Sequence, residues 1–248
     1  MKSIALLGKK LSHSFSPAYF ENKFKQNGLA NFRYELLELD TLADLRNILN
    51  NKEDLIGFNV TIPYKVEILN YLDELDDSAK KIGAVNTVKI HREKEGIRMI
   101  GYNTDAHGFR FSIKPFLNVH HQKALILGDG GAAQAVAYVF DDLGIDYLFV
   151  GRNKKKSNSV LYSDLNEFAI SSYKLIVNCT PVGMFPNIDE TLAIPHEAIT
   201  ADHLCVDLIY NPEETNFLRH AKEKGAIALN GLSMLHLQAD KAYEIFMN

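Results

Sequence analysis

Two short motifs in this chain each end in a side chain that can take part in proton transfer. Lys65 ends the segment 59–65, NVTIPYK, and Asp105 ends the segment 101–105, GYNTD. An ammonium group placed at a ketone oxygen can supply a proton and stabilise the negative charge that develops during reduction. A single lysine is more often a solvated surface residue, so this interpretation depends on Asp105 as its partner. If the two residues interact, they titrate as a unit, and either one could be the formal acid.

A third motif offers hydroxyl groups at the start of a helix. In the segment 12–17, SHSFSP, Ser16 suits the N-cap position and Pro17 the first helical position. Hydroxyls at a helix N-terminus bind carboxylates well, through hydrogen bonds and the helix dipole together. Helix capping alone would explain Ser16 but not Ser14.

Further polar residues lie within these motifs and between them. Pro63 favours helix initiation, and the i, i+4 spacing of Thr61 and Lys65 predicts that both lie on one face of the first helical turn. Asn86 and Asn103 lie in turn contexts, where a structural role competes with a role in binding.

A glycine-rich turn lies where a nucleotide could bind. The segment 128–131, GDGG, follows a strand-like run at Lys123–Leu127 and precedes an alanine-rich apolar helix that ends before Gly144. Glycine lets the backbone turn tightly and approach a pyrophosphate, and the helix N-terminus offers free N–H groups. The alternative is a tight strand–helix turn that binds nothing. Asp129 is unusual at this place, because a carboxylate near a pyrophosphate must point to solvent.

The end of the next strand predicts which dinucleotide binds. An NAD site usually has Asp or Glu there, about 20 residues after the glycine turn. This chain instead has Arg152, Asn153 and three lysines at 154–156. Arginine can bond a 2′-phosphate in bidentate fashion and stack on adenine, so the turn predicts NADP. The alternative is a solvated basic turn, which is the more common role for each lysine.

The chain is short after this basic turn. Only 26 positions separate Arg152 from Asn178. We therefore expect a helix or a strand of the nucleotide-binding sheet to be shortened or missing, with consequences for the adenine pocket rather than for the chemistry.

The composition of the chain excludes several classes of protein. With 248 residues, 46% of them hydrophobic and 23% charged, the chain is expected to be a soluble globular protein of two domains. A formal charge of −4 gives no reason to expect a nucleic acid or an anionic membrane as partner. No apolar run approaches the roughly 20 residues that span a bilayer, and the first residues fit a strand better than a secretory signal. Cys179 and Cys205 are expected to be free thiols of a cytoplasmic protein, and the nine histidines show no metal-ligand spacing.

The elements that must position these residues alternate between strand and helix, which predicts an α/β protein with parallel sheets. We expect a substrate-binding domain at 1–107, a dinucleotide-binding domain at 108–231 and a C-terminal helix at 232–248. The predicted helices include Pro17–Asn27, a helix capped by Thr41, and Leu232–Met247. The predicted strands are Ser3–Leu7, Phe32–Leu39, Leu55–Val60, Lys123–Leu127, Tyr147–Val150, Leu175–Asn178, Leu204–Asp207 and Ala226–Leu229.

Taken together, the motifs resemble those of the shikimate dehydrogenase family. Besides NVTIPYK and GYNTD, the segments GAVNT, GDGGAA, NCTPVGM, DLIYNP and GLSML follow in the family's order, and the match extends to Gln238. The resemblance implies an N-terminal α/β substrate domain, a Rossmann-like NADP-binding domain and a C-terminal helix that returns to the first domain. It also implies that Lys65 and Asp105 are the catalytic residues and lie within hydrogen-bond range of each other.

The resemblance also assigns the binding residues. The substrate-binding residues would be Ser14, Ser16, Thr61, Asn86, Tyr210 and Gln238, with the two serines at a carboxylate. The cofactor-binding residues would be Gly128, Gly130, Gly131, Ala132, Arg152, Asn153, Thr180, Gly183, Met184, Leu208, Gly231 and Met234. Two positions depart from the family pattern, because Lys10 replaces a proline and Ser233 replaces a glycine.

The activity implied by the resemblance is the reversible reduction of 3-dehydroshikimate to shikimate with NADPH, a step in aromatic amino-acid biosynthesis. The partners would be these small molecules, with no nucleic acid or membrane, and the protein would be a monomer or homodimer. One alternative is a quinate/shikimate dehydrogenase that prefers NAD. Another is a catalytically silent shikimate-binding protein, which would not need the proton donors Lys65 and Asp105.

Overall fold

The computed structural model describes residues 1–11, 14–94, 96–154 and 157–248. These residues form two compact units, one of residues 1–104 with 238–248 and the other of residues 105–237. The expected domain boundaries at 107 and 231 stay a prediction. Each unit is described by itself below.

The described elements alternate between strand and helix along most of the chain. The strands are β1 (Lys2–Gly8), β2 (Phe32–Glu38), β3 (Leu55–Val60), β4 (Glu74–Leu75), β5 (Thr87–Glu93), β6 (Gly96–Tyr102), β7 (Lys123–Leu127), β8 (Asp146–Gly151), β9 (Ser159–Leu161), β10 (Leu175–Asn178), β11 (Leu204–Asp207) and β12 (Ile227–Leu229). The helices are α1 (Ser16–Gln26), α2 (Leu45–Asn50), α3 (Tyr64–Glu67), α4 (Asp77–Ile82), α5 (Asp105–Ile113), α6 (Gly131–Leu143), α7 (Glu167–Ser172), α8 (Asn216–Glu223) and α9 (Leu232–Met247).

The first unit is built on a mixed sheet with the strand order β2-β1-β3-β5-β6-β4. β1 is parallel to β2 and β3, whereas β5 is antiparallel to both β3 and β6. The expectation of a parallel sheet is therefore wrong for this unit. The physical reason is that only two positions separate Glu93 from Gly96, and so short a connection can join only antiparallel neighbours.

The end of α9 packs on the sheet of the first unit. A Cβ atom on Gly57 of β3 would lie 2.7 Å from ring carbons of Phe246, so glycine is needed at this position for the helix to approach the strand. On α1, Tyr19 donates a hydrogen bond of 2.6 Å to Asp240, which also pairs with Lys23. The C-terminal residues of the chain are thus held in the first unit by both apolar and charged contacts.

Two predicted helix starts differ from the structure, that of α1 by one residue and that of α2 by three. α1 begins at Ser16, so that Phe15 rather than Ser16 occupies the N-cap position, and Phe15 makes no side-chain capping bond. α2 begins at Leu45 with Asp44 in the N-cap position, so Thr41 lies outside the helix. Short polar side chains favour both caps and turns, and the surrounding turns decided these two cases.

The second unit is built on a sheet with the order β12-β11-β10-β7-β8-β9, in which every described pair of neighbours is parallel. The strands β7 and β10 are almost wholly buried, as expected of a sheet covered on both faces. The predicted Rossmann-like sheet is confirmed. All its strands end at one edge, which is where ligands bind in such sheets.

The connection that follows Arg152 is a short crossover between β8 and β9. β9 lies beside β8 with Leu161 opposite Gly151, and only the seven residues 152–158 connect the two strands. Parallel neighbours are usually joined by a dozen or more residues that include a helix. The described residues of this connection contain no helix, and β9 has only three residues. The expectation of a shortened helix or strand stays a prediction.

Candidate active site

Three polar side chains of the first unit meet at the carboxyl ends of β3 and β6. Asn86 donates a hydrogen bond of 2.9 Å to the Thr104 hydroxyl, and its side-chain oxygen accepts the backbone N–H of Thr104 at 2.7 Å. The side-chain oxygen of Gln238 lies 3.4 Å from the Asn86 amide and 3.3 Å from the Thr104 hydroxyl. The structure thus brings together Asn86 and Gln238, which lie 152 positions apart in the sequence.

A buried network continues from Asn86 into the interior of the unit. Thr87 lies 3.3 Å from the Asn86 oxygen and accepts a hydrogen bond of 3.1 Å from Asn59. Tyr34 donates to Asn59 at 2.8 Å. Buried polar groups need partners of this kind, and a fully bonded network holds its members in fixed orientations. The sequence interpretation did not single out Tyr34, Thr87 or Thr104; a polar Asn59 at the end of an otherwise apolar strand was the available signal.

The backbone fixes Asn86 in place. The carbonyl oxygen of Asn86 accepts the N–H of Val60, and its own N–H donates to the carbonyl oxygen of Tyr102. Asn103, which the sequence left open between two roles, donates its side-chain amide to the carbonyl oxygen of Ala84 at 2.9 Å. That contact gives Asn103 a structural function.

Lys65 lies in the second position of α3 and is half-buried. Its carbonyl oxygen accepts the N–H of Val85, the residue before Asn86, at 2.7 Å. α3 begins only at Tyr64, and Thr61 precedes it in a turn. The expectation that Thr61 and Lys65 share the face of one helical turn is therefore wrong, because helical spacing applies only within a helix.

Ser14 and Ser16 lie together at the start of α1. The Ser14 hydroxyl accepts the backbone N–H of Ser16 at 3.3 Å, and both residues are partly exposed. Ser14 therefore bonds one of the N–H groups at the helix start, in place of the cap predicted for Ser16. Ser12 and His13 of the same motif lie outside the described residues.

Asp105 is the first residue of α5, in the second unit, and only 4% of it is exposed. A carboxylate at a helix N-terminus is stabilised by the helix dipole and by the free N–H groups there. Because Lys65 and Asp105 belong to different units, the catalytic pair stays a prediction.

The glycine turn of the second unit leads directly into α6. Gly128 has a φ of +109°, in the region that favours glycine, and its N–H donates to the carbonyl oxygen of Val150 at 2.8 Å. Gly130 occupies the N-cap position of α6, with Gly131 and Ala132 in the first turn, and no described side chain caps this helix. The N–H groups at the start of α6 are thus available to an anion.

The basic turn follows β8. Arg152, Asn153 and Lys154 are all exposed, whereas Lys155 and Lys156 lie outside the described residues. Lys154 forms an ion pair of 3.1 Å with Asp164, a carboxylate that the sequence interpretation missed. Lys154 is therefore partly neutralised, and Arg152 is the stronger candidate for binding a 2′-phosphate.

Two loops at the same edge of this sheet carry other predicted cofactor-binding residues and Tyr210, a predicted substrate-binding residue. The loop after β10 contains Thr180, Gly183 and Met184, and the loop after β11 contains Leu208 and Tyr210. Gly183 has a φ of +89°. Met184 is 42% exposed, whereas Met234 on α9 is 8% exposed. Met234 is therefore the less accessible of these two methionines.

Gly231 must be glycine for a steric reason. A Cβ atom on Gly231 would lie 2.1 Å from the carbonyl oxygen of Leu208, whereas a Cβ on Gly130 would have no atom within 4 Å. Glycine at this position thus allows the start of α9 to approach the backbone of the loop after β11.

The two glycines allow a paired test. We expect Gly231→Ala to lower the melting temperature by about 3–10 °C, because overpacking against rigid backbone costs about 1–3 kcal/mol. Gly130→Ala should leave the melting temperature nearly unchanged but weaken NADPH binding about tenfold, because its methyl group would meet the pyrophosphate. Thermal unfolding and calorimetric titration with NADPH measure both effects. Unchanged NADPH affinity in Gly130→Ala would remove the pyrophosphate role of this turn.

The described residues of the second unit fit NADP better than NAD. The uncapped start of α6 suits a pyrophosphate, and Arg152 follows β8 where NAD sites have a carboxylate.

No group of three or more His, Cys, Asp or Glu side chains in the described part of the chain is placed to hold a metal ion. Within the same residues, no helix is both long and apolar enough to cross a bilayer.

The second unit is Rossmann-like and has a basic turn after its second strand. The first unit is an α/β unit with an amide–hydroxyl cluster. Together these features define the class of NADP-dependent oxidoreductases. Comparison with known proteins specifies the family. Residues 6–88 match the family described as the shikimate dehydrogenase substrate binding domain. The chain is 38% identical over 260 residues to the shikimate dehydrogenase (NADP(+)) of Methanococcus aeolicus, covering 99% of this chain and 91% of that protein. The chain belongs to the shikimate dehydrogenase family.

Solved structures agree with this family. Shikimate 5-dehydrogenase from Thermus thermophilus, in complex with NADP(H) and shikimate, has a TM-score of 0.85 at 32% identity, covering 99% of this chain and 93% of that one. Quinate dehydrogenase from Corynebacterium glutamicum, in complex with NAD, has a TM-score of 0.86 at 28% identity, with the same two coverages. The predicted family and fold class are confirmed, whereas the similar TM-scores show that the fold alone does not choose between the two activities.

Proposed function

We propose that this protein is an NADP-dependent shikimate dehydrogenase that reversibly reduces 3-dehydroshikimate to shikimate. The observation that carries the proposal is the joining of the buried Asn86 and Thr104 with the partly buried Gln238 into one polar cluster. The chain also matches NADP-dependent relatives over almost its whole length. Amide and hydroxyl groups are the partners that a polyhydroxylated ring requires. Because such a site leaves its own polar groups unpaired when a hydroxyl is absent, it rejects analogues strongly.

We assign the substrate end to the first unit. Ser14 and Ser16 would bind the carboxylate at the start of α1, where the helix dipole favours an anion. Thr61, Asn86 and Gln238 would bond ring hydroxyls. Tyr210 of the β11 loop is proposed as a further substrate contact.

We assign the proton transfer to Lys65 together with Asp105. NADPH, when bound, supplies the hydride for reduction of the carbonyl carbon. The Lys65 ammonium would hold a proton at the carbonyl oxygen and stabilise the developing alkoxide, and Asp105 would orient the ammonium and bond the adjacent hydroxyl. In the oxidative direction the same pair would accept the proton.

We assign the cofactor to the second unit. The glycine turn at 128–131, with Ala132, would bind the pyrophosphate, and Arg152 with Asn153 would bind the 2′-phosphate. The nicotinamide would lie along the loops after β10 and β11 and at the start of α9. These contacts would come from Thr180, Gly183, Met184, Leu208, Gly231 and Met234. Cytoplasmic location and a monomeric or homodimeric state stay predictions.

The test is oxidation of shikimate by the purified protein with NADP and NAD in parallel, followed by the absorbance of the reduced nicotinamide, with quinate as competing substrate. Shikimate turnover with a clear NADP preference is expected. NAD preference or efficient quinate turnover would instead assign the chain to the NAD-linked quinate/shikimate activity. Binding of shikimate without turnover would indicate a silent binding protein.

A further inference from the structure

A buried carboxylate outside the proposed reaction organises the loops at the edge of the second sheet. Asp207, the last residue of β11, is 0% exposed. One of its oxygens accepts the N–H of Ile209 at 3.0 Å and the amide of Asn178 at 3.1 Å, and the other accepts the Thr215 hydroxyl at 2.7 Å. These described partners are all neutral. Burial raises the pKa of Asp207 to about 6, which leaves the group largely ionised at neutral pH.

Asn178 transmits this contact to the next loop. It is the last residue of β10 and is also 0% exposed. Its side-chain oxygen accepts both the backbone N–H and the hydroxyl of Thr180, at 3.0 and 2.7 Å. A Cβ atom on Gly128 would lie 3.1 Å from the Thr180 methyl group, so the loop after β10 packs against the glycine turn.

The chemistry of Asp207 suits a positioning role. An ionised carboxylate without a buried cation costs several kcal/mol to desolvate, and charge-assisted hydrogen bonds offset part of that cost. Such bonds are about twice as strong as neutral ones and fix the donors in direction. Here the N–H of Ile209 belongs to the loop after β11, and Asn178 leads into the loop after β10. The third donor, Thr215, caps α8.

We propose that Asp207 is a positioning residue for the nicotinamide cofactor. Through Asn178 it holds the loop that begins at Thr180, and through the N–H of Ile209 it holds the loop that contains Leu208 and Tyr210. This inference rests on the proposed assignment of both loops to the cofactor. Loss of Asp207 or of Asn178 therefore loosens the site that NADPH must find already formed, and cofactor affinity falls.

The test compares variants on the two sides of the carboxylate. Asp207→Ala and Asn178→Leu are expected to raise the Kd for NADPH about tenfold, because each removes at least one buried hydrogen bond from the loops. Their double variant should lose less affinity than the product of the two single effects, since the Asp207–Asn178 hydrogen bond is lost in both single variants. Thr215→Val is the control, because it removes a hydrogen bond to the same carboxylate at the far end of the connection between β11 and α8. Valine also keeps the β-carbon and methyl group that lie near Gly183. This control variant should lower the melting temperature and leave NADPH affinity unchanged.

Calorimetric titration with NADPH, without shikimate, keeps this test separate from turnover. If the wild-type protein binds NADPH but does not oxidise shikimate, the proposed function fails while the positioning role is still judged by the Kd values. Should Asp207→Ala not fold, Asp207→Asn takes its place, with an expected rise in Kd of about threefold from the loss of charge assistance alone. NADPH affinity equal to wild type in folded Asp207 and Asn178 variants would overturn the proposal, as would absence of NADPH binding by the wild-type protein.

Discussion

Replacement of Lys65 by alanine is expected to lower kcat for shikimate oxidation by roughly 10²–10⁴-fold, with little change in KM. A positioned acid or base contributes about this factor, because it acts mainly in the transition state. The fold should survive the change. Lys65 is only half-buried, and its contact with Val85 uses the backbone. Steady-state kinetics in both directions, together with the melting temperature, measure the effect.

Two further variants sharpen this prediction. Lys65→Arg keeps the positive charge, but its guanidinium does not release a proton near neutral pH, so kcat should fall nearly as far. Lys81→Ala changes an exposed lysine of α4 and should leave the kinetics unaltered. A tenfold rise in KM with kcat intact in Lys65→Ala would contradict the proton-transfer role and make Lys65 a binding residue.

Replacement of Arg152 by alanine is expected to weaken NADPH binding by roughly 10- to 150-fold and leave NADH almost unaffected. The estimate follows from the loss of about 1.5–3 kcal/mol of charge-assisted hydrogen bonding to the 2′-phosphate. Only NADP carries that phosphate, so the comparison of kcat/KM for the two cofactors isolates the contact.

The neighbouring lysine provides the matched control for Arg152. Lys154 is exposed like Arg152 but is already paired with Asp164. Lys154→Ala should therefore weaken NADPH binding by much less than Arg152→Ala does. Equal losses for NADPH and NADH in Arg152→Ala would remove the 2′-phosphate argument.

The sequence determined the regular parts of the fold well, for a local reason. Apolar runs bounded by glycine or polar residues predicted β3, β7, β10 and β11 to the residue, and α9 as well. Buried strands of a parallel sheet read as short apolar runs, so their ends are visible in the sequence. The turn at Gly128 could also be predicted locally, because its backbone conformation favours glycine.

Local reasoning failed where a polar residue could serve either a helix or a turn. Ser16 and Thr41 were both predicted to cap helices, and Thr61 was predicted to share a helical face with Lys65. In the structure the three helices begin elsewhere. The residue at which a helix begins depends on the conformation of the preceding turn. Packing sets that conformation, rather than the cap residue.

Only the tertiary structure decided which distant polar groups share a partner. Asn86 and Gln238 were both expected to bind substrate from motif resemblance, but their contact through Thr104 depends on the return of α9 to the first sheet. Asp207 and Asn178 end two adjacent parallel strands, and nothing in either local sequence shows that one carboxylate bonds both loops. The physical reason is that backbone preferences are set by near neighbours along the chain, whereas desolvated hydrogen bonds depend on which strands lie side by side.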